Sequence, residues 1–539
     1  MNIELTLKTK IKNAFHILGK EVEVNDIIIT LTKDKAHGDY STSSAMKFAN
    51  SLGKKPLDLA KELIANIDTD GIDKIEIAGP GFINFFMSTS SISDVVKKII
   101  NEGDAYADAP KKNIKINLEY VSANPTGDLH LGHARGAAIG DSLSRLFKKA
   151  GYDVTREYYI NDAGNQINNL ALSIKTRYEQ LFGRDSKLTD DMYHANDIVE
   201  IAKMFKEEYG DTLLDNADAL KVFKERGVVI ELDKIIRDLD AFRVEFDVFS
   251  NETKIRSNNA VEKEIDYLSK YCYSENGATI LRTTDFLDDK DRVIVKSNGD
   301  YTYFLPDIVY HLDKLSRGYD LLIDVLGADH HGYLNRMKSS LMMHGHDKSI
   351  LDFVLIQMVR IFQDGKEITL SKRTGKTITL RELCQDCGTD FVRYFFVSRS
   401  ASSHLDFNMD LAKEKSASNP VYYAQYAHAR LSSVLKNIDK YPLDTSGTLL
   451  TSEKELELMK TLIDYSNVIV TSANNKEVSL LTNYIYKLAT TIHSFYTECR
   501  VLDVNNPELT KQRLALCKAA QIVMKNALNL IGVEAPNEM

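Results

Sequence analysis

Apolar, β-branched residues from Ile114 to Val121 suit a buried strand. Ala123-Asn124-Pro125-Thr126-Gly127 then reads as a turn. From Leu131 to Ala150 the residues Ala134, Ala137, Ala138, Leu143, Leu146 and Phe147 recur at helical spacing, and Gly151 sits where a helix stop is expected. Val154 to Ile160 reads as a second strand, so the stretch from Lys115 to Asp162 is a β-loop-α-β unit. Upstream, Ser43 to Leu52 and Leu57 to Ile67 predict helices, with Pro56 at a helix start. Lys74 to Ala78 leads through Gly79-Pro80-Gly81 into a strand at Phe82 to Phe86, and Gly103 to Lys112 reads as a linker. Downstream, Asn165 to Leu181, Asn196 to Glu208 and Ala217 to Phe246 (in pieces) are helical. Short strand-like runs return at Ala278 to Arg282, Arg292 to Val295 and Leu321 to Leu326, and Asp364 to Glu367 is a hairpin turn. From about 405 onward the pattern is almost wholly helical. The fold class is therefore α/β, in three domains: an α+β module at 1–105, an α/β domain at 106–404 with a helical insertion at about 165–280, and an all-α domain at 405–539.

Composition changes this picture little. The chain has 539 residues, 43% hydrophobic and 27% charged, with a formal net charge of −9. Nucleic-acid binding would then rest on local patches rather than bulk charge. No apolar run approaches a membrane span and no signal-peptide core is present at the start, so a soluble, cytoplasmic chain is expected, and a monomer. Five cysteines, an odd number, point to free thiols. Cys384 and Cys387 form a lone CxxC with no second pair at ligand spacing, so no metal site is expected there.

The chemistry concentrates at His130-Leu131-Gly132-His133, two histidines at a helix start. Such a terminus attracts phosphate, the imidazoles can donate to its oxygens, and Gly132 lets a flat ring approach the backbone. Ordinary loop or cap histidines are the competing reading. Asp329-His330-His331-Gly332 follows a strand-like run, where α/β folds place ligand groups; a polar substrate contact is preferred to a metal site. Lys372, Arg373 and Lys376 form a basic loop, either a solvated cluster or a clamp on polyphosphate. Tyr422, Tyr426 and Arg430 suit either stacking on unpaired RNA bases or a helix core. His37-Gly38-Asp39-Tyr40 is a polar-aromatic loop.

These pieces, in this order, resemble a class I aminoacyl-tRNA synthetase, specifically the bacterial-type arginyl-tRNA synthetases. His130-Leu131-Gly132-His133 is similar to the HIGH motif and Thr369-Leu370-Ser371-Lys372-Arg373 to the KMSKS loop. Tyr303 and Asp307 match the YxxxD element, and Gly327 to Gly332 the GADHHG element. His37 to Tyr40 and Gly79 to Phe82 resemble a tRNA-elbow-binding domain, and Asn419 to Ala427 the opening of an anticodon-binding domain. The resemblance implies a Rossmann-type catalytic domain that ligates L-arginine to tRNA(Arg) through arginyl-adenylate, using ATP with Mg2+. It assigns ATP to Gly127, His130, Gly132, His133, Ser371, Lys372 and Arg373, with His130, His133 and Lys372 catalytic. It assigns arginine to Glu119, Asn124, Tyr303, Asp307 and His331, with Tyr303 and Asp307 on one helix face, and tRNA to Tyr40, Tyr422, Tyr426 and Arg430. Thr369 departs from the motif's first lysine and Leu370 from its methionine, leaving Lys372 as the main loop cation.

Overall fold

Five parallel strands form the central sheet, in the order Leu351–Ile356, Leu321–Gly327, Lys115–Glu119, Asp153–Ile160, Val248–Asn251. All coordinates are those of a computed structural model, which describes residues 3–32, 35–368 and 378–539. The strands are parallel because long, mostly helical crossovers join them. The chain starts at Lys115–Glu119, builds outward to Asp153–Ile160 and Val248–Asn251, then returns to the other side of its first strand. The order therefore reverses between Lys115–Glu119 and Leu321–Gly327, and a ligand crevice belongs at the C-terminal ends of those two strands.

The helix Leu131–Lys149 is buried along most of its length, and small residues let it sit low on the sheet. A Cβ at Gly140 would lie 2.2 Å from the Tyr120 ring, so only glycine fits there. Three helices, Asn165–Leu181, Asn196–Tyr209 and Ala219–Ala241, build a separate core from Leu170, Ile174, Tyr178, Phe205 and Phe223. Two sequence expectations change here. Ala219–Ala241 is one continuous helix rather than pieces, and the insertion ends sooner, because Val248–Asn251 already pairs with Asp153–Ile160. At four residues that strand is too short for alternation to register.

The N-terminal domain is a four-stranded antiparallel sheet, ordered Ile29–Leu31, Tyr40–Thr42, Phe82–Met87, Ile72–Ala78. Helices Ile3–Ile17 and Pro56–Asn66 pack with it. Its last helix, Thr89–Glu102, packs against Glu453–Asn475 and Pro507–Leu530 of the C-terminal domain. The segment read as a linker is fastened down: Tyr106 is buried and donates to the Leu462 carbonyl at 3.1 Å. The C-terminal domain consists chiefly of Pro420–Leu435, Glu453–Asn475, Ser479–Glu498 and Pro507–Leu530. Asn419 caps the first, and Ser452 with Glu455 forms a capping box on the second. Leu405–Asn408 is not helical but a strand parallel to Val359–Gln363, so a boundary at 404 would cut through a sheet. Its alternating burial explains the pairing. No helix among the described residues is long and apolar enough to cross a membrane.

Candidate active site

The strand Lys115–Glu119 delivers Glu119 to the crevice, and a strained turn follows. Val121 and Ser122 have φ of 68° and 39°, a region β-branched residues rarely enter. The turn folds the Ser122 hydroxyl back to donate to Glu119 Oε1 at 2.8 Å, while Tyr159 N–H donates to that hydroxyl at 3.0 Å. Asn124 lies further along the same loop, its amide donating to Gln166 Oε1 at 2.5 Å.

His130 is the N-cap of Leu131–Lys149, and its Nδ1 accepts from Gly132 N–H at 3.1 Å. Its ring stacks on His133 with centroids 3.7 Å apart. A Cβ at Gly132 would stand 3.1 Å from His130 Cε1, so here the ring that needs this glycine is the neighbouring imidazole. Gly127 lies in the turn just upstream, with a φ of 152°. Ser371, Lys372 and Arg373, with Thr369 and Leu370, lie outside the described residues. The chain just beyond them is tied to the histidine motif: His130 forms a β-bridge with Thr379, and Leu380 N–H donates to the Leu129 carbonyl at 2.9 Å. The described chain downstream of the basic loop is therefore anchored at the histidine motif.

Across the crevice, Asp307 sits in the first turn of Phe304–Ser316. Its carboxylate accepts a hydrogen bond from the Tyr333 hydroxyl. Tyr303, expected on the same helix face, is the helix N-cap and is 76% exposed. His331 is also exposed, on the short turn after Leu321–Gly327. Glu119 is more committed than expected, since Lys314 Nζ donates to its Oε2 at 2.5 Å. Burial raises the Asp307 carboxyl to about 6; the Tyr333 hydrogen bond and His311 oppose the rise, while Glu119 and Glu252 add to it.

In the N-terminal domain Tyr40 is 3% exposed, which corrects its assignment to RNA: a ring inside the core cannot stack on a base. Phe82, 40% exposed, instead flanks a cavity of about 400 Å³ lined by Thr30, His37, Ser41 and Asn84. On Pro420–Leu435, Tyr422 and Tyr426 stack with ring centroids 5.9 Å apart, and the Arg430 guanidinium lies 5.1 Å from the Tyr426 centroid.

Comparison with known proteins gives one answer across the chain. The "Arginyl tRNA synthetase N terminal domain" model matches residues 5–87, the "tRNA synthetases class I (R), catalytic domain" model 95–401, and the "DALR anticodon binding domain" model 424–539. The arginine–tRNA ligase of Bacillus subtilis (strain 168) is 47% identical over 546 residues, covering 99% of this chain and 98% of that protein. The chain belongs to the arginyl-tRNA synthetase family. A putative arginyl-tRNA synthetase from Campylobacter jejuni superposes with a TM-score of 0.78 at 32% identity, over 84% of this chain and all of that one. The Thermus thermophilus arginyl-tRNA synthetase superposes over the whole of both chains with a TM-score of 0.79; at 19% identity this speaks to fold alone.

Several groups at the crevice were not picked out from sequence. Tyr333 is one. Glu252 is another: it is buried, follows Val248–Asn251, pairs with Arg256 at 2.5 Å, and its charge is felt at both Asp307 and Tyr159. Tyr310, His311 and Lys314 complete the list. A readable signal existed, since Asp307, Tyr310, His311 and Lys314 occupy an i, i+3, i+4, i+7 stripe of a mostly apolar helix. Cys384 and Cys387 lie on Leu380–Cys387, and burial pushes their thiols up to about 12 and about 11, the opposite of reactive cysteines.

Proposed function

We propose that this protein activates L-arginine with ATP as arginyl-adenylate, releasing pyrophosphate, and then transfers the arginyl group to a terminal ribose hydroxyl of tRNA(Arg), releasing AMP. One observation carries the reading: Asp307, paired with Tyr333, feels the charge of Glu119, which ends a strand beside the sheet's switch point. A guanidinium stays protonated at any working pH and needs an anion that accepts its planar donors. Asp307 is that anion, and Asn124 is suited to hold the substrate's α-amino group. His130 and His133, with the backbone N–H groups of the helix start, face the phosphates of ATP. Lys372, with Ser371 and Arg373, is assigned to the departing pyrophosphate by its place in the signature. The reaction asks little covalent work of side chains, so positioning and charge stabilisation dominate.

Among the described residues no group of three or more His, Cys, Asp or Glu could hold a metal ion. Mg2+ is assigned to the phosphates of ATP, as part of the substrate. For tRNA, the reading places Tyr422, Tyr426 and Arg430 against unpaired bases, and Phe82 rather than Tyr40 at the N-terminal domain. Aminoacylation kinetics of Asp307→Asn test the pocket. The change keeps shape and removes charge, so kcat/KM for arginine is expected to fall ~10²-fold, with KM for ATP little changed. An unaltered arginine KM would place the guanidinium elsewhere.

A further inference from the structure

Glu157, Glu119 and Asp324 stand side by side across three neighbouring strands of the central sheet, in direct register. In a parallel sheet such residues share a face, and like charges so placed repel. All three are buried, at 0%, 8% and 3% exposed. The helix Phe304–Ser316 lies over this row and answers it. Lys314, fully buried, donates to Glu119 Oε2 at 2.5 Å and to Asp324 Oδ1 at 2.9 Å. His311 Nε2 is 2.8 Å from the other Asp324 oxygen, and Nδ1 is 2.8 Å from the backbone carbonyl of Asp307. A carbonyl only accepts, so Nδ1 carries a proton. Asp324 already accepts from Lys314 as a carboxylate, so Nε2 carries one too. The geometry makes His311 a buried imidazolium. Burial opposes that charge, yet Asp324 raises the pKa of His311 above the usual histidine value.

We propose that His311 and Lys314 are positioning residues for arginine: they cancel Asp324 and Glu119, leaving Asp307 as the open anion and keeping it ionised for the guanidinium. The inference rests on the reading that Asp307 receives the guanidinium. Other charged groups around the pocket are already engaged. Glu157 accepts from Tyr310 and from Arg317, each at 2.9 Å, and Glu252 is bound to Arg256. On Tyr333–Met343, Arg336 lies 5.3 Å from the centroid of the Tyr333 ring. Without the two cations Asp307 would share a low-dielectric site with uncompensated carboxylates and take up a proton near neutrality. Removing a cation beside a cation-binding pocket would then weaken binding.

Calorimetric titration of the full-length protein with arginine from pH 5 to 8.5 tests this in the wild type and in His311→Gln, whose amide can still donate to either acceptor. In the wild type the dissociation constant is expected to be level above pH about 6 and to rise ~10-fold per unit below it. In His311→Gln the break moves up by ~1 unit or more, so binding is ~10-fold weaker near pH 6 and recovers towards the wild-type level by pH 8.5. The same break in both proteins would overturn the proposal. A second measurement needs no variant. Nitrogen NMR of the wild type with labelled histidine should show one imidazolium that persists from pH 7 to 8.5; thirteen neutral rings would equally overturn it. If Asp307→Asn binds arginine normally, the pocket reading itself has failed. If Asp307→Asn loses arginine while His311→Gln keeps the wild-type break, only the role of His311 has failed.

Discussion

Two clusters of buried cations flank the central sheet, and they are satisfied differently. Under the pocket, Lys314 and His311 meet carboxylates: Asp324 from one strand and Glu119 from the next. At the other cluster, two fully buried arginines meet mostly backbone. Arg135, two residues after His133, donates to the carbonyls of Gln357, Ser403 and Ser400 at 2.8, 2.8 and 2.9 Å. Arg393 donates to the carbonyls of Phe242 and Ile531 at 2.7 and 2.8 Å, and to Asp141 at 2.5 Å. A guanidinium presents a planar fork of five donors, which suits it to hold several carbonyls from separate segments. Arg393 joins the histidine-bearing helix, the end of the insertion and the C-terminal segment in this way. An ammonium or imidazolium beside carboxylates does something else: it decides which acids stay charged. One cluster sets where segments sit, and the other sets charge where a ligand arrives.

Breaking the first cluster at its centre should have the largest effect on stability. Arg393→Met fills similar space but leaves Asp141 buried with only Arg145, at 2.9 Å, as cation. Breaking a buried pair from one side costs ~3–5 kcal/mol, because the remaining charge stays desolvated. A drop of that size in the unfolding free energy from urea titration is expected, while arginine KM of the folded fraction is unchanged. A large change in arginine KM would mean that the two clusters are not separable.

Breaking the second cluster should change the sign of a pH dependence. In the wild type, burial disfavours the charged Asp324, yet Lys314 and His311 hold its carboxyl well below the usual range. A depressed folded pKa contributes stability above the unfolded value near 3.9, and this is lost as pH falls through the folded value. In Lys314→Met, Asp324 loses the cation that does most to hold its carboxyl down, and burial then pushes its folded pKa above the unfolded one. The variant should be destabilised by ~1–3 kcal/mol at neutral pH, with the deficit growing as pH rises and shrinking towards pH 4. Thermal melts at pH 4, 5.5, 7 and 8.5 check the crossing, and a deficit flat across that range would contradict it.

Arg135→Met sharpens the contrast further, since no carboxylate is left behind. Burial lowers the Arg135 pKa only to about 10, so it is a cation throughout the working range. Its loss should cost ~1–3 kcal/mol, the penalty for carbonyls left without a donor, with no pH dependence between 5 and 8. Unfolding midpoints at two pH values suffice to check this.

Much of this was legible in the sequence, for reasons that can be named. The β-loop-α-β unit was readable because an apolar strand, a turn and an alanine-lined helix each carry local signals, and Leu131–Lys149 falls within one residue of its predicted end. Asn165–Leu181 was readable to the residue at both ends. Asp307 came from the resemblance, through the YxxxD element, but its partner Tyr333 lies on another helix, and no local rule links residues that meet only through the fold. For Tyr303, helical spacing says which positions share a face, not that the first of them is an exposed cap. Tyr40 is the opposite case: its strand alternates, and it falls on the inward side. The row of Glu157, Glu119 and Asp324 could not be seen at all, since strand register is a property of the sheet.

The smallest effect is the one that best separates the two kinds of cluster. Asp307 carries a carboxyl raised to about 6 by burial, so its ionised form is less favourable in the folded protein than in the unfolded chain. The sign follows: a raised acid pKa contributes stability at low pH that is lost as pH rises from about 4 to about 6. At neutral pH the charge is therefore a net cost held for the ligand, the trade expected where a site is built for binding rather than for stability. Asp307→Asn removes the charge while its amide oxygen can still accept from Tyr333. The variant should be more stable than the wild type by ~1 kcal/mol at pH 7.5, less than the full shift would suggest because water reaches the crevice. Near pH 4 the difference should vanish. Unfolding midpoints without ligand, at those two pH values, measure it. Saturating arginine should then reverse the order, since only the wild type gains from binding. A loss of stability in Asp307→Asn at pH 7.5 would mean that this carboxylate belongs with Asp141, as part of the frame, and not with the groups that wait for a substrate.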